Sequence, residues 1–140
     1  MANRIRSFAD LIAPVTEEDF FATYHDRQFL HVPAPDTDKF ADVMSWDILT
    51  NMLNMTSIWS PTSLSIMLDT KEIPAEQYCR QAVDRNNQQS LQPDTEKVKS
   101  WLRRGASLVA NDVDTLWPGT AAAANALEQR LGGKIQSNLL

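Results

Sequence analysis

The chain has 140 residues, about one domain's worth, and is 43% hydrophobic and 22% charged, close to soluble globular averages, which excludes fibrous and disordered classes. Thirteen Lys and Arg against eighteen Asp and Glu leave a net charge of −5, which argues against a chain wrapped along nucleic acid, where affinity comes chiefly from phosphate neutralisation. No apolar run approaches the roughly 18 residues that span a bilayer. Met1–Asp10 lacks the apolar stretch of a secretory signal, and the single cysteine, Cys79, cannot form an internal disulfide. Together these features predict a cytoplasmic protein without membrane partners.

In chain order, Phe8, Leu11 and Ile12 fall at i, i+3, i+4, the spacing of one helical face, and Pro14 stops that helix. Thr16 offers an N-cap for a second helix whose first turn, Glu17-Glu18-Asp19, suits the positive end of the helix dipole. Phe20, Phe21 and Tyr24 form its inward side. Phe29–Val32 reads as a short strand ended by Pro33. Ser45 caps a third helix with Trp46, Leu49 and Leu53 on one face. Leu64, Ile66 and Leu68 alternate with Ser65, Met67 and Asp69, the period-two pattern of a half-buried strand.

Cys79 reads as part of a short helix after Pro74, and the polar, Gln/Asn-rich stretch 80–93 as a mobile loop. Asp94 or Thr95 opens a fourth helix that carries Val98, Trp101 and Leu102 inward and ends at Gly105. Ala106–Ala110 is a short apolar strand. Pro118 starts a helix through Leu131, which Gly132-Gly133 terminates. Residues 134–140 read as a final strand, with Ile135 and Leu139 facing one way and Gln136, Asn138 and Leu140 the other. The pattern is a single α+β domain over 1–140. A strand that stops on Leu139-Leu140 with no cap or polar tail is expected to be an interrupted one, with an open edge that invites pairing.

Motifs that carry chemistry are sparse. The two histidines, His25 and His31, begin neither an H-x-D nor an H-x-x-x-H pattern, so they read as structural or solvent-exposed rather than as metal ligands. Cys79 has no histidine near it in sequence to activate it, no serine lies in G-x-S-x-G, and Gly132-Gly133-Lys134 is not a phosphate-cradling loop. Lys97, Lys99, Arg103 and Arg104 around Trp101 read as a solvated helix face, with nucleic-acid contact the minor alternative. Asp112 and Asp114, two apart after a strand, suit either acid–base chemistry or turn capping, and turns use such pairs more often.

Four residue strings then resemble one family, the cupin-like JmjC oxygenases that include the ribosomal oxygenases. Tyr24-His-Asp-Arg-Gln-Phe-Leu-His-Val32 resembles their "Y-W-E-[KR]-[KR]-P-L-H-I" opening, and Ser45-Trp-Asp-Ile-Leu49 their "S-W-D-x-L" helix start. Arg104-Gly-Ala-Ser-Leu-Val-Ala-Asn-Asp-Val-Asp114 resembles "G-A-T-L-V-L-N-D-V-D", followed by a Pro-initiated helix. Lys134-Ile-Gln-Ser-Asn-Leu139 resembles the "V-Q-A-N-L" strand that precedes the iron site. The strings occur in family order and cover most of the chain from about Phe20.

The resemblance implies a double-stranded β-helix, of which this chain holds the N-terminal helices and first strands of an incomplete barrel. It implies a 2-oxoglutarate- and Fe(II)-dependent hydroxylase acting on a protein or peptide. Its H-x-D pair, distal histidine and 2-oxoglutarate-holding lysine match nothing in these 140 residues, so this chain alone is expected to bind neither cofactor as a centre and to be inactive. Asn138 matches the asparagine of the family's "N-x-Y" and is the one co-substrate-binding residue that carries over. Leu140 stands in place of that tyrosine and has no hydroxyl to donate, and His25 stands where the family often has tryptophan. The expected partner is the remainder of the barrel, or a protein at the open strand edge, a second copy included. The alternative function is a non-catalytic interaction or dimerisation module derived from the same fold.

Overall fold

A computed structural model describes residues 5–33, 38–83 and 86–140. Helix α1 (Phe8–Ile12) starts on a capping box: the Ser7 hydroxyl accepts from the Asp10 N–H while the Asp10 carboxylate accepts from the Ser7 N–H. Lys39 donates to the carbonyls of Leu11 (2.9 Å) and Ala13 (2.7 Å), satisfying acceptors that the end of α1 leaves open. Thr16 caps α2 (Glu17–Asp19), which runs on as a π-helical turn over Phe20–Tyr24. The wider turn sets Phe20 and Phe21 edge to face at 5.2 Å, with Phe8 5.2 Å from Phe20 and His25 5.1 Å from Phe21. Arg130 lies 4.1 Å over the Phe21 ring and pairs with Glu17, so this aromatic cluster is clamped to the distant helix α5 (Pro118–Leu131).

Two antiparallel sheets make up the strand content. The larger has the order β2-β1-β5-β6, from β1 (Leu64–Leu68), β2 (Lys71–Glu72), β5 (Ser107–Asn111) and β6 (Asn138–Leu139). The smaller pairs β3 (Cys79–Val83) with β4 (Gln89–Pro93). Helices α3 (Trp46–Asn54) and α4 (Thr95–Arg103) cover one face of the larger sheet, and no closed barrel forms among the described residues.

The core lies between that face and the helices. Leu64, Ile66, Leu108 and Ala110 point into it from β1 and β5, against Met52, Leu53, Val98 and Trp59. Two polar side chains inside it find partners: the Trp59 indole donates to the Met52 carbonyl (2.8 Å), and the buried Tyr78 hydroxyl to the Leu64 carbonyl (3.3 Å). Helix α5 begins with Pro118 in its first turn and ends on Gly132 in the left-handed conformation (φ 74°). Its second residue has a different function: a Cβ on Gly119 would sit 1.8 Å from the Asp42 carbonyl oxygen, so only glycine lets the 41–43 segment touch the helix.

Several sequence expectations are corrected. The stretch 80–93 is a hairpin rather than a loop, in register from Cys79 opposite Pro93 to Val83 opposite Gln89 (residues 84 and 85 lie outside the described set). Ladder hydrogen bonds hold it, and those do not show in hydropathy. Cys79 belongs to β3, and the short helix expected after Pro74 is a 3₁₀ turn, Ala75–Gln77, that ends before it. Phe29–Val32 makes no strand: Phe29 is 88% exposed, and the segment joins neither sheet. The last strand is limited to Asn138–Leu139 within the expected 134–140. Trp46, at the first position of α3, is 77% exposed and lies beyond the rim of the core that Leu49, Met52 and Leu53 enter.

Candidate functional site

The strand register divides the larger sheet into two chemically different faces. Directly opposed residues share a face, so Leu64 with Ala110, Ile66 with Leu108, and Ala110 with Leu139 form the helix-covered side. The other side is formed by Ser65 with Val109, Met67 with Ser107, and Asn111 with Asn138. None of these six is fully buried, and Ser107 and Asn138 are exposed. This open face carries two amides, two hydroxyls and two apolar side chains, a mixed surface that can hydrogen-bond a ligand and pack against it.

Asn138 is therefore on the open face, opposite Asn111. The Asn111 N–H donates to the Ser63 carbonyl (2.9 Å) and its side-chain amide to the Thr62 carbonyl (3.2 Å), which orients that residue from the β1 side. No such tether fixes the Asn138 side chain among the bonds described. Sequence alternation had already put Asn138 on the face away from Leu139. The partner Asn111 and the neighbours Ser65, Ser107 and Val109 could not be found without the strand register.

The other sequence candidates do not converge. Asp112 adopts the left-handed conformation (φ 55°) and its carbonyl accepts from the Thr115 hydroxyl, the geometry of a tight turn. The Asp114 carboxylate accepts from the Ser137 hydroxyl, and Ser137 Oγ in turn accepts from the Asp114 N–H (2.9 Å). Asp114 thus binds the segment entering β6 to the turn leaving β5, and the two aspartates have separate structural functions.

His25 is stacked in the aromatic cluster and its Nδ1 lies 3.2 Å from the Asp26 carboxylate, while His31 is exposed in an unpaired segment. Among the described residues, no three His, Cys, Asp or Glu side chains are grouped to hold a metal ion. Cys79 is buried, and that burial pushes its thiol pKa up, so it is held as the protonated, unreactive form. The basic face of α4 is largely engaged locally: Lys97 donates to the Cys79 carbonyl, Lys99 pairs with Glu96, and Arg104 stacks on Trp101 at 3.8 Å.

Beside β6 lies an apolar pocket of about 460 Å³ at the rim of the covered face, between Trp46 and Leu49 of α3, Leu102 of α4, and Leu108, Leu139 and Leu140. Among the described residues no helix is long and apolar enough to cross a membrane. No protein-family model matches the chain, and no curated protein matches it at a significant level.

Proposed function

We propose that this chain is the N-terminal part of a cupin-like JmjC oxygenase, a 2-oxoglutarate- and Fe(II)-dependent protein or peptide hydroxylase. The observation that carries the reading is where two of the resembling strings lie. Arg104–Asp114 and Lys134–Leu139 are separated by the whole of α5, yet Ala110 pairs with Leu139 and Asn111 with Asn138. The two strings that resemble strands of that family are thus neighbours in one antiparallel sheet. In this reading the helix-covered face is the outside of the barrel and the open face its interior, so Asn138 and Asn111 face the co-substrate side.

Bound Fe(II) and 2-oxoglutarate supply the oxygen activation in that family. The described residues do not fit an iron site, because His25 is committed to Phe20, Phe21 and Asp26, and no ligand group gathers around it or His31. Within these residues the chain contributes a scaffold and one polar sheet face, and no catalytic step is assigned to it. The experiment is to sequence the gene past the Leu140 codon and express the longest reading frame. The expected result is an H-x-D within about 20–30 residues, the span of one strand and loop, and Fe(II)-dependent conversion of 2-oxoglutarate to succinate. A frame without H-x-D, or a frame with it that binds no 2-oxoglutarate, overturns the proposal.

One observation favours a non-catalytic interaction module instead: among the described residues β6 is an outer strand of the larger sheet, and Trp46 and Leu140 near it are exposed. A stop codon directly after Leu140 would select that reading.

A further inference from the structure

Phe29–Val32 makes no strand, yet its alternation has a structural use. Phe29 and His31 are exposed, whereas Leu30 and Val32 are half-buried and line a cavity of about 680 Å³. Phe8 and Ile12 of α1 line the same cavity, as do Leu127 and Leu131, which share one face of α5. Leu131 is 41% exposed, so these elements meet around the space without filling it. Protein interiors leave few voids larger than a water molecule, and an apolar recess of this size lies in the range of small-ligand sites.

The cavity also holds a positioned charge. Lys39 is part of its lining, and the ammonium donates to the Leu11 (2.9 Å) and Ala13 (2.7 Å) carbonyls, which fixes it at the end of α1 and leaves one N–H to offer. No described carboxylate pairs with it. The acid of the lining, Asp10, is already engaged: its carboxylate accepts from the Ser7 hydroxyl (2.8 Å) and from the N–H groups of Arg6 and Ser7. The other described lining side chains are apolar.

We propose that this cavity binds a fatty carboxylate, with the acyl chain between α1, Leu30, Val32 and the end of α5, and the carboxylate accepting from the free Lys39 N–H. An unbalanced cation beside an apolar recess is complementary to a molecule of that shape and charge. A peptide is the poorer occupant, because the apolar side chains of the lining offer its amides no partners. None of the sheet residues is used, so the site is independent of the oxygenase reading.

The test uses the isotopically labelled 140-residue protein, with decanoate as the probe and octanoate and decanol as controls. Binding is followed by the NMR shifts of the Leu and Ile methyl groups. Decanoate is expected to shift the methyls of Leu11, Ile12, Leu127 and Leu131 saturably, and to bind about tenfold more tightly than octanoate, at roughly fourfold per buried methylene. It should also bind about tenfold or more tightly than decanol, the gain from a hydrogen bond between charged groups. Lys39→Gln keeps amide donors for the Leu11 and Ala13 carbonyls and removes the charge, so it should abolish the preference over decanol while decanol still binds. Leu131→Asp, at an exposed position, puts a charge on the apolar wall and should weaken both ligands by about tenfold. The proposal is overturned by the absence of saturable shifts, by shifts centred on Leu49, Leu102 and Leu108 instead, or by equal affinity for decanoate and decanol in the unaltered protein. It is overturned equally by a preference that survives Lys39→Gln, by undiminished binding to Leu131→Asp, or by nuclear Overhauser contacts showing that another part of the chain or a second copy fills the cavity before ligand is added.

Discussion

Tyr78 offers a test of the core in which the sign of the effect changes with pH. Its side chain is 1% exposed and its hydroxyl donates to the Leu64 carbonyl on β1, joining the base of the β3–β4 hairpin to the main sheet. Burial, reinforced by the neighbouring Cys79, Glu72 and Glu76, raises its pKa from 10.0 to about 12. A folded-state pKa above the unfolded one stabilises the protein fully below the unfolded value and loses that contribution as pH rises through the folded value. The two-unit difference corresponds to about 2–3 kcal/mol, of which roughly half is lost by about pH 11. Tyr78→Phe removes one hydrogen bond, at 3.3 Å a long one, and should cost about 1 kcal/mol at pH 7. It also removes the titration. Urea unfolding of both proteins from pH 7 to pH 11.5 should therefore show the wild type more stable at neutrality, the difference vanishing near about pH 11 and reversing above it. Two parallel stability curves across that range would refute the account of Tyr78 as a buried, neutral phenol.

Gly119→Ala would gain up to about 1 kcal/mol by helix propensity in open space, but the 1.8 Å approach to the Asp42 carbonyl makes it destabilising by about 1–3 kcal/mol, read as a lowered thermal midpoint. Met52→Ala, at a fully buried position under β1, should cost about 2–5 kcal/mol in chemical denaturation. Ser7→Ala should cost about 1 kcal/mol by removing the α1 cap. The backbone N–H groups of Arg6 and Ser7 and the Ser7 hydroxyl hold the Asp10 carboxyl below its ordinary pKa of 3.8. The contribution of Asp10 is thus present above that value and lost as pH falls through the lowered one, so amide exchange in α1 should accelerate there in wild type and less in Asp10→Asn.

The caps explain why so much of the helical half was legible. Thr16, Ser45 and Asp94 each accept a backbone N–H in the first turn that follows, and Pro118 and Gly132 bound α5; the Ser7 cap of α1 is of the same kind and was not read. These signals are local, carried by residues three or four apart. Trp46 shows the limit of periodicity, which assigns a residue to a face without saying how far along that face the core extends. The hairpin was missed for a related reason. Its stabilising contacts are backbone pairs between Cys79–Val83 and Gln89–Pro93, while its side chains, Gln81, Gln89 and Gln92 among them, read as loop. For the candidate site, alternation alone placed Asn138 away from Leu139, but the pairing of Asn138 with Asn111 depends on a register set by Ser137 and Asp114 across α5. No local pattern encodes that register.

The same register connects the two functional readings. An antiparallel sheet with helices on one side must either expose its other face or enclose it. Here the covered face has an apolar pocket at its β6 margin, and the open face carries Ser65, Ser107, Asn111 and Asn138 in place of an apolar layer. A face intended for a second packed sheet in a dry core would place Val, Ile or Leu at those four positions, since buried amides and hydroxyls without partners each cost about 1–3 kcal/mol. Polar residues there fit a surface that meets water, a co-substrate or a polar peptide, as the interior of an oxygenase barrel does. Substitutions on the open face should therefore alter ligand binding while leaving stability nearly unchanged.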